Sequence, residues 1–301
     1  MDSQKKADLL MFMVVFFWGL SYLFTRVGIQ SIPIFNFIAL RFSVGFIVAV
    51  LLFFRHFSKI NAKTIQCGVA LGFLLFLTLA GVNYGIQYTT ISNVGFLGSL
   101  TVIFVPIMSS LAYRKFPEKK IIIASICATI GIGLMTLEGS MGVGLGDLVC
   151  VLAAVVYSTH IMLSKKFVDI PEVDPLNLGI IQLGFTALFG LVFSLIFEDP
   201  FIPNTIDLWV PVLFLGIFCS AFGFIAQVVA QKYTTPSHIG LIFALEPVFA
   251  ALFAYLFASE HLLPIQYLGA AIVFASVMFA ELMPNKKKET NVSKIEAVEK
   301  I

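Results

Sequence analysis

Three residues with chemistry to offer stand inside long apolar runs: Arg41, His160 and Glu246, with Asp147 and Glu281 at run edges. Ionisable groups are costly in hydrocarbon and ordinarily face a cavity or a partner. Pro247 follows Glu246 directly; its missing N–H frees the carbonyl of Phe243 and predicts a kink beside the carboxyl. Two readings fit Glu246: a proton carrier or ligand for a cationic group, and a neutral or paired acid bonded to neighbouring helices. Arg41 cannot shed its proton, so it either pairs with Glu246 or with carbonyl groups, or meets a substrate carboxylate. Together Arg41 and Glu246 suit a zwitterion. A carrier of doubly charged sugar phosphates would want several such cations, and only Arg41 is there.

Aromatic and amide side chains extend the set. Trp18 and Tyr157 lie nine or more residues into their runs, about 14–15 Å deep at the rise of an α-helix. Membrane Trp and Tyr normally sit in an interfacial belt, so this depth points to cavity lining or helix packing. Tyr22 and His160 fall on the same helical faces as Trp18 and Tyr157. His160 is either a titrating group or a hydrogen-bonded structural one. Asn93 and His238 open two of the runs, as gates or as helix caps.

The elements that must position these residues follow from composition. Of 301 residues, 59% are apolar, 12% are charged and 32 are phenylalanine. Soluble domains carry about twice that charge, which excludes a soluble enzyme and a disordered chain, and a net charge of +2 gives no basic surface for nucleic acid. Ten continuous runs long enough for a membrane helix are read at 9–25, 33–54, 64–87, 91–112, 121–137, 147–164, 176–197, 209–231, 235–258 and 264–283. The first, though preceded by Lys5 and Lys6, lacks a small-residue cleavage site and is expected to be a retained anchor. With the N-terminus cytoplasmic, 17 of the 19 Lys and Arg fall on inner segments and one, Arg26, on the outer side, as the positive-inside rule requires. An even count puts the C-terminus inside as well. Cys67, Cys127, Cys150 and Cys219 stand singly, as packing residues rather than a metal set.

The chain repeats itself. Tyr88-Thr89-Thr90-Ile91-Ser92-Asn93-Val94-Gly95 recurs as Tyr233-Thr234-Thr235-Pro236-Ser237-His238-Ile239-Gly240, an offset of 145 that also places Glu246 on Thr101. Upstream the offset shortens to about 140, setting Trp18 on Tyr157 and Arg26 on Lys165. Residues 9–137 and 147–283 are thus read as two five-helix units, with a glycine-rich linker at 138–146 and a basic cytoplasmic tail at 284–301. Five is odd, so the second unit enters from the opposite side, and the basic loop 55–63 faces an acidic counterpart at 198–208. The expected fold is an all-α polytopic membrane protein of inverted repeats, a geometry suited to alternating access around a midplane site. Gly68 and Gly72, and Gly81 and Gly85, have the spacing that lets helices approach closely. No HExxH, Walker loop or nucleophile elbow is present.

Trp18-Gly19-Leu20-Ser21 in the first run, the twice-used Tyr-Thr-Thr-x-Ser-x-x-Gly turn, Ser99-Leu100-Thr101-Val102-Ile103-Phe104-Val105-Pro106 and Leu245-Glu246-Pro247-Val248 give a pattern that resembles the EamA-type members of the drug/metabolite transporter superfamily. The resemblance covers residues 9–283. It implies a non-enzymatic carrier in the inner (plasma) membrane, often an exporter of amino acids or other small metabolites. A cavity is expected between the first, third, fourth, sixth, eighth and ninth spans. Candidate substrate-binding residues are Trp18, Tyr22, Arg41, Tyr157, His160 and Glu246, with Glu246 as the proton-coupling candidate and Asn93 and His238 as gates. No cofactor, metal, nucleic acid or ATPase partner is implied; the partners are a small-molecule substrate, protons as coupling ion, and lipid. A multidrug exporter is the alternative, weakened because small multidrug-resistance relatives use a Glu in the first span and none is present there. A channel and an intramembrane enzyme built on His160 and Glu246 are alternatives of another class.

Overall fold

The structure, a computed structural model, describes residues 3–57, 60–88, 91–114, 116–136, 144–258 and 263–282. Every regular element among them is helical. The first half contains α1 (Ser3–Ile29), α2 (Ile34–Phe57), α3 (Ala62–Tyr88), α4 (Ile91–Ser99), α5 (Thr101–Tyr113) and α6 (Lys119–Thr136). The second contains α7 (Leu145–Val168), α8 (Pro175–Phe197), α9 (Ile206–Phe214) and a π-helical stretch, Leu215–Phe224. It is completed by α10 (Ile225–Gln231), α11 (Pro236–Phe243), α12 (Glu246–Ala258) and α13 (Pro264–Leu282). Pro175, Pro236 and Pro264 each take the first helical position, where a missing N–H costs nothing. Asp174 and Thr235 then cap α8 and α11 by accepting the N–H of Asn177 at 2.8 Å and of His238 at 3.3 Å.

Seven helical segments among the described residues are long and apolar enough to cross a membrane, and Leu97–Ala112 and Pro264–Ala280 are shorter apolar helices. The run read at 91–112 is broken at Leu100, and the run at 235–258 is broken at Ala244 and Leu245. The linker expected at 138–146 gives up its last residues: Gly144 caps α7, and Leu145 and Gly146 belong to the helix. The rest of that linker and the tail 284–301 lie outside the described residues.

Packing depends on backbone contact, because side-chain burial supplies little drive between helices in lipid. Helix α3 lies against α8 through Gly68 and Gly72 and against α7 through Gly81 and Gly85. A Cβ on Gly72 would fall 2.7 Å from Cβ of Phe185 and 2.9 Å from the carbonyl oxygen of Gln182. On Gly81 it would fall 2.9 Å from Cβ of Ala153. Helices α6 and α13 meet at Gly131 and Gly269, and Gln266 donates to the carbonyl of Met135 at 3.0 Å. Between α2 and α8, phenylalanines interleave: Phe35 with Phe193 at 5.6 Å, and Phe76 of α3 with Phe193 at 4.8 Å.

Each end of the bundle has its own clasp. At the end we call acidic, Glu198 receives the backbone N–H groups of Phe35 at 2.9 Å and Asn36 at 2.8 Å. The carboxylate of one helix thereby caps the positive N-terminus of another. At the basic end His56 meets Asp174 at 2.9 Å, and Lys165 reaches Asp169 at 2.8 Å and the carbonyl of Lys232 at 3.4 Å.

Gly72→Ala forces the backbones of α3 and α8 apart and is expected to cost about 1–3 kcal/mol, read as a lowered thermal unfolding midpoint in detergent. Gly133→Ala, where an added Cβ meets nothing within 4 Å, should leave the midpoint unchanged or raise it.

Candidate functional site

The irregular backbone gathers around one cavity. Along Leu215–Phe224 the π-helical geometry widens the helix and turns carbonyls sideways. The indole N–H of Trp18 donates to one of them, Cys219, at 3.0 Å. The side-chain amide of Gln182 donates to another, Phe224, at 3.4 Å. Arg41, only 5% exposed, donates from Nε to the hydroxyl of Ser220 at 2.8 Å and lies 5.3 Å from the ring of Phe42. Gly216 and Gly223 make these approaches possible: a Cβ on Gly223 would fall 2.5 Å from Trp18 Nε1, and one on Gly216 2.9 Å from the carbonyl oxygen of Arg41.

The two helix breaks face the same space. At the first, the N–H of Leu100 donates to Leu97 at 3.3 Å. At the second, the N–H groups of Ala244 and Leu245 donate to Leu241 and Ile242, both at 3.0 Å. Both are tightened 3₁₀-type turns in which the chain keeps right-handed helical dihedrals at Leu100 and Ala244. The kink expected from Pro247 is therefore a tightening one turn ahead of the proline. Thr101 and Glu246 are the first residues beyond the respective breaks.

The cavity has a volume of about 100 Å³. Its charged and polar walls are Arg41, Glu246, Asn83 and Thr101, with Ser21, Thr25, Thr78 and Ser99 adding hydroxyls. The hydroxyl of Tyr22 is in hydrogen-bonding reach of the Glu246 carboxyl. Trp18, Tyr157, Phe224 and Phe243 close the cavity on the side of the basic end. Trp18 stands 4.9 Å from Phe224 and 5.1 Å from Phe243, and Tyr157 stacks on Phe243 at 5.8 Å. The remaining lining residues of α1, α3 and α4 run from this floor toward the acidic end.

Five of the six expected binding residues line this space: Trp18, Tyr22, Arg41, Tyr157 and Glu246. His160 does not. It is fully buried behind Tyr157, with Nε2 3.0 Å from Oε1 of Gln182, and an amide oxygen can only accept, so that nitrogen carries the proton. His160 is thus outside the lining of this cavity, and its ring stacks on Tyr157 at 5.7 Å. Tyr157 itself donates to Gln227 at 2.9 Å. The expected pairing of Arg41 with Glu246 is also absent: no ion pair among the described residues joins them. The hydroxyl of Ser220 holds Arg41 instead, and Arg41 and Glu246 both line the cavity.

His238 stands at the start of α11, 8% exposed, with Nε2 3.2 Å from Oδ1 of Asp8 on α1. Asn93 belongs to α4, but its side chain lies outside the described residues. Sequence reasoning passed over Asp8, Ser21, Thr25, Thr78, Asn83 as a cavity residue, and Ser220. Ser21 and Thr25 continue the helical stripe of Trp18 and Tyr22 and were findable by spacing. Ser220 was not, because its role depends on a π-helical turn.

Ser220→Ala leaves the buried Nε of Arg41 without its acceptor. A loss of about 1–3 kcal/mol is expected, read by thermal unfolding and restored by Ser220→Thr.

Comparison with known proteins agrees with this architecture. The model of the EamA-like transporter family matches twice, over residues 5–137 and 144–282. An uncharacterized transporter of Archaeoglobus fulgidus is 27% identical over 276 residues, 92% of this chain and 86% of the relative. The uncharacterized transporter YetK of Bacillus subtilis is 25% identical over 288 residues, 90% of this chain and 84% of the relative. A protein of known crystal structure superposes with a TM-score of 0.76 over 92% of this chain and 97% of its own, at 18% identity, and so shares the fold. The family model matches both halves of a multi-pass helical bundle: the chain belongs to the EamA-like transporter family.

Proposed function

We propose that the protein is a secondary carrier that moves a small zwitterionic, amino-acid-like metabolite across the plasma membrane, in the export direction, by alternating access. In this reading the chain crosses the membrane ten times, as two inverted units at 9–137 and 147–283, with both termini and the basic end in the cytoplasm. The pairing of helices supports the two-fold relation. Contacts of α2 with α8 and of α6 with α13 map onto themselves when the halves are exchanged. Those of α1 with α12 map onto those of α7 with α5. The two helix breaks also fall at equivalent positions, Leu100 and Leu245.

One observation carries the substrate class: Arg41 and Glu246 line the same cavity without neutralising each other. A carboxylate on Arg41 and an ammonium on Glu246 satisfy both, and the faces of Trp18 and Tyr22 favour the cation further. The volume of about 100 Å³ suits a small solute, since drug-sized ligands occupy pockets of about 300–1,000 Å³; a multidrug exporter fits less well. Glu246 is the proton-coupling group, its carboxyl exchanging a proton with the ammonium ligand. Trp18, Tyr22 and Tyr157 shape the cavity, and Asn93 and His238 gate it. No catalytic or metal chemistry is assigned to any of these residues.

Two experiments test this. In a thermal-shift screen of amino acids, nucleosides and cationic drugs, small amino acids should raise the unfolding midpoint of the wild type, since a ligand of the native state stabilises it by mass action. Stabilisation by drugs alone overturns the substrate class. In proteoliposomes, Glu246→Gln should abolish the dependence of flux on pH between about 5.5 and 8 that proton coupling produces. A variant whose flux follows the wild-type pH profile overturns the coupling role.

A further inference from the structure

We propose that Asp8 and His238 form the latch that holds the basic mouth of the cavity shut, so that the present arrangement is the state open toward the acidic end. The inference rests on the alternating-access reading above and assigns to it a pair of positioning residues. Equivalent positions in the two halves differ in their surroundings. A Cβ on Gly240 of α11 would meet Val105 of α5 at 3.2 Å, whereas one on Gly95, its counterpart in α4, would meet nothing within 4 Å. All eight residues of α11 are buried. In α4, by contrast, Gly95, Leu97 and Gly98 are half-exposed, and Gly98 and Ser99 line the cavity. The half-helix at the basic end is thus buried along its whole length, whereas its counterpart leaves Gly95, Leu97 and Gly98 half-exposed beside the cavity.

The packed half-helix is fastened at its first turn. Asp8 Oδ1 and His238 Nε2 lie 3.2 Å apart with 14% and 8% of their side chains exposed, joining α1 to α11 across the mouth. Met11, one turn along α1 from Asp8, is fully buried. Swinging α11 away must separate the carboxylate from the imidazole. The acid also has a counterpart. The offset of 139 that sets Trp18 on Tyr157 sets Asp8 on Asp147. Asp147 accepts the N–H of Gly144 at 2.9 Å, at the start of its own helix. At the basic mouth the acid bridges two helices.

The test places a single reporter in the cavity. Ser21 lines it, so Ser21→Cys is made in a chain whose four native cysteines are replaced by alanine. Labelling by a membrane-impermeant maleimide is then followed in right-side-out and inside-out vesicles. The parent should label from the acidic face. Asp8→Ala and His238→Ala should each speed labelling from the basic face roughly fivefold, the shift produced by losing one modest contact from a two-state equilibrium. The double variant should label no faster than either single one, because both remove the same latch, and Asp147→Ala should leave basic-face labelling unchanged. Preserved labelling from the acidic face reports an intact cavity; Asp8→Asn, which keeps the side-chain shape, replaces Asp8→Ala if that labelling is lost. Basic-face rates unchanged in both single variants, or single effects that multiply in the double, overturn the latch. A parent that labels equally from both faces overturns alternating access itself.

Discussion

A peptide group without a partner in hydrocarbon costs several kcal/mol, so a membrane helix can be opened only where something polar receives it. The rest of this structure follows from that constraint. The π-helical stretch Leu215–Phe224 turns carbonyls out of line; Trp18 and Gln182 answer two of them, and Arg41 donates to the hydroxyl of Ser220 in the same stretch. The breaks at Leu100 and at Ala244–Leu245 keep their N–H groups bonded by tightening rather than by unwinding. Both helix breaks and the end of the π-helical stretch, Phe224, lie at the cavity, and α3, α6, α8 and α13 pack through glycine.

The same economy explains how Arg41 is tolerated. A guanidinium cannot be neutralised by losing its proton, and pairing it with Glu246 would have consumed the one carboxyl in the cavity. Ser220 and the ring of Phe42 hold it by dipole and quadrupole instead. Arg41 and Glu246 therefore both face the same 100 Å³, the arrangement on which the proposed substrate class rests. His160, Gln182 and Thr186 form a separate buried network, with Thr186 donating to the carbonyl of Gly72 at 3.0 Å. That network ties α7, α8 and α3 together behind the floor of the cavity and gives the aromatic residues a fixed support.

The floor and the latch lie in series. Trp18, Tyr157, Phe224 and Phe243 block the path below the cavity, and Asp8 with His238 fastens the half-helix that carries Phe243. Phe243 and Glu246 flank a single tight turn. In the proposed mechanism, a change at the carboxyl is one turn of backbone away from Phe243. Packed elements of this kind have discrete arrangements rather than continuous ones, which is what a carrier needs to avoid being open at both ends.

Much of this was written in the sequence. Hydropathy and the scarcity of charge determine helices that cross a bilayer, because no other structure short of a closed barrel satisfies the backbone there. The duplicated Tyr-Thr-Thr turn aligned the two segments that break, though both read as continuous runs, and the depth of Trp18, Tyr157 and Glu246 placed them at one level of the bundle. Helical spacing also carried Ser21 and Thr25, had the stripe through Trp18 been followed. Tertiary structure alone decided the rest. Whether His160 faced the cavity or Gln182, and whether Arg41 met Glu246 or Ser220, turned on rotations of neighbouring helices that leave composition and period unchanged. Phe224 and Phe243 are two of 32 phenylalanines, distinguished only by the elements packed around them. Asp8, placed by hydropathy outside the first apolar run, became a buried partner because α11 folds back onto the start of α1. Sequence periodicity records which face of a helix is polar; which helix that face meets is set by packing between segments more than 200 residues apart, as with Trp18 and Cys219.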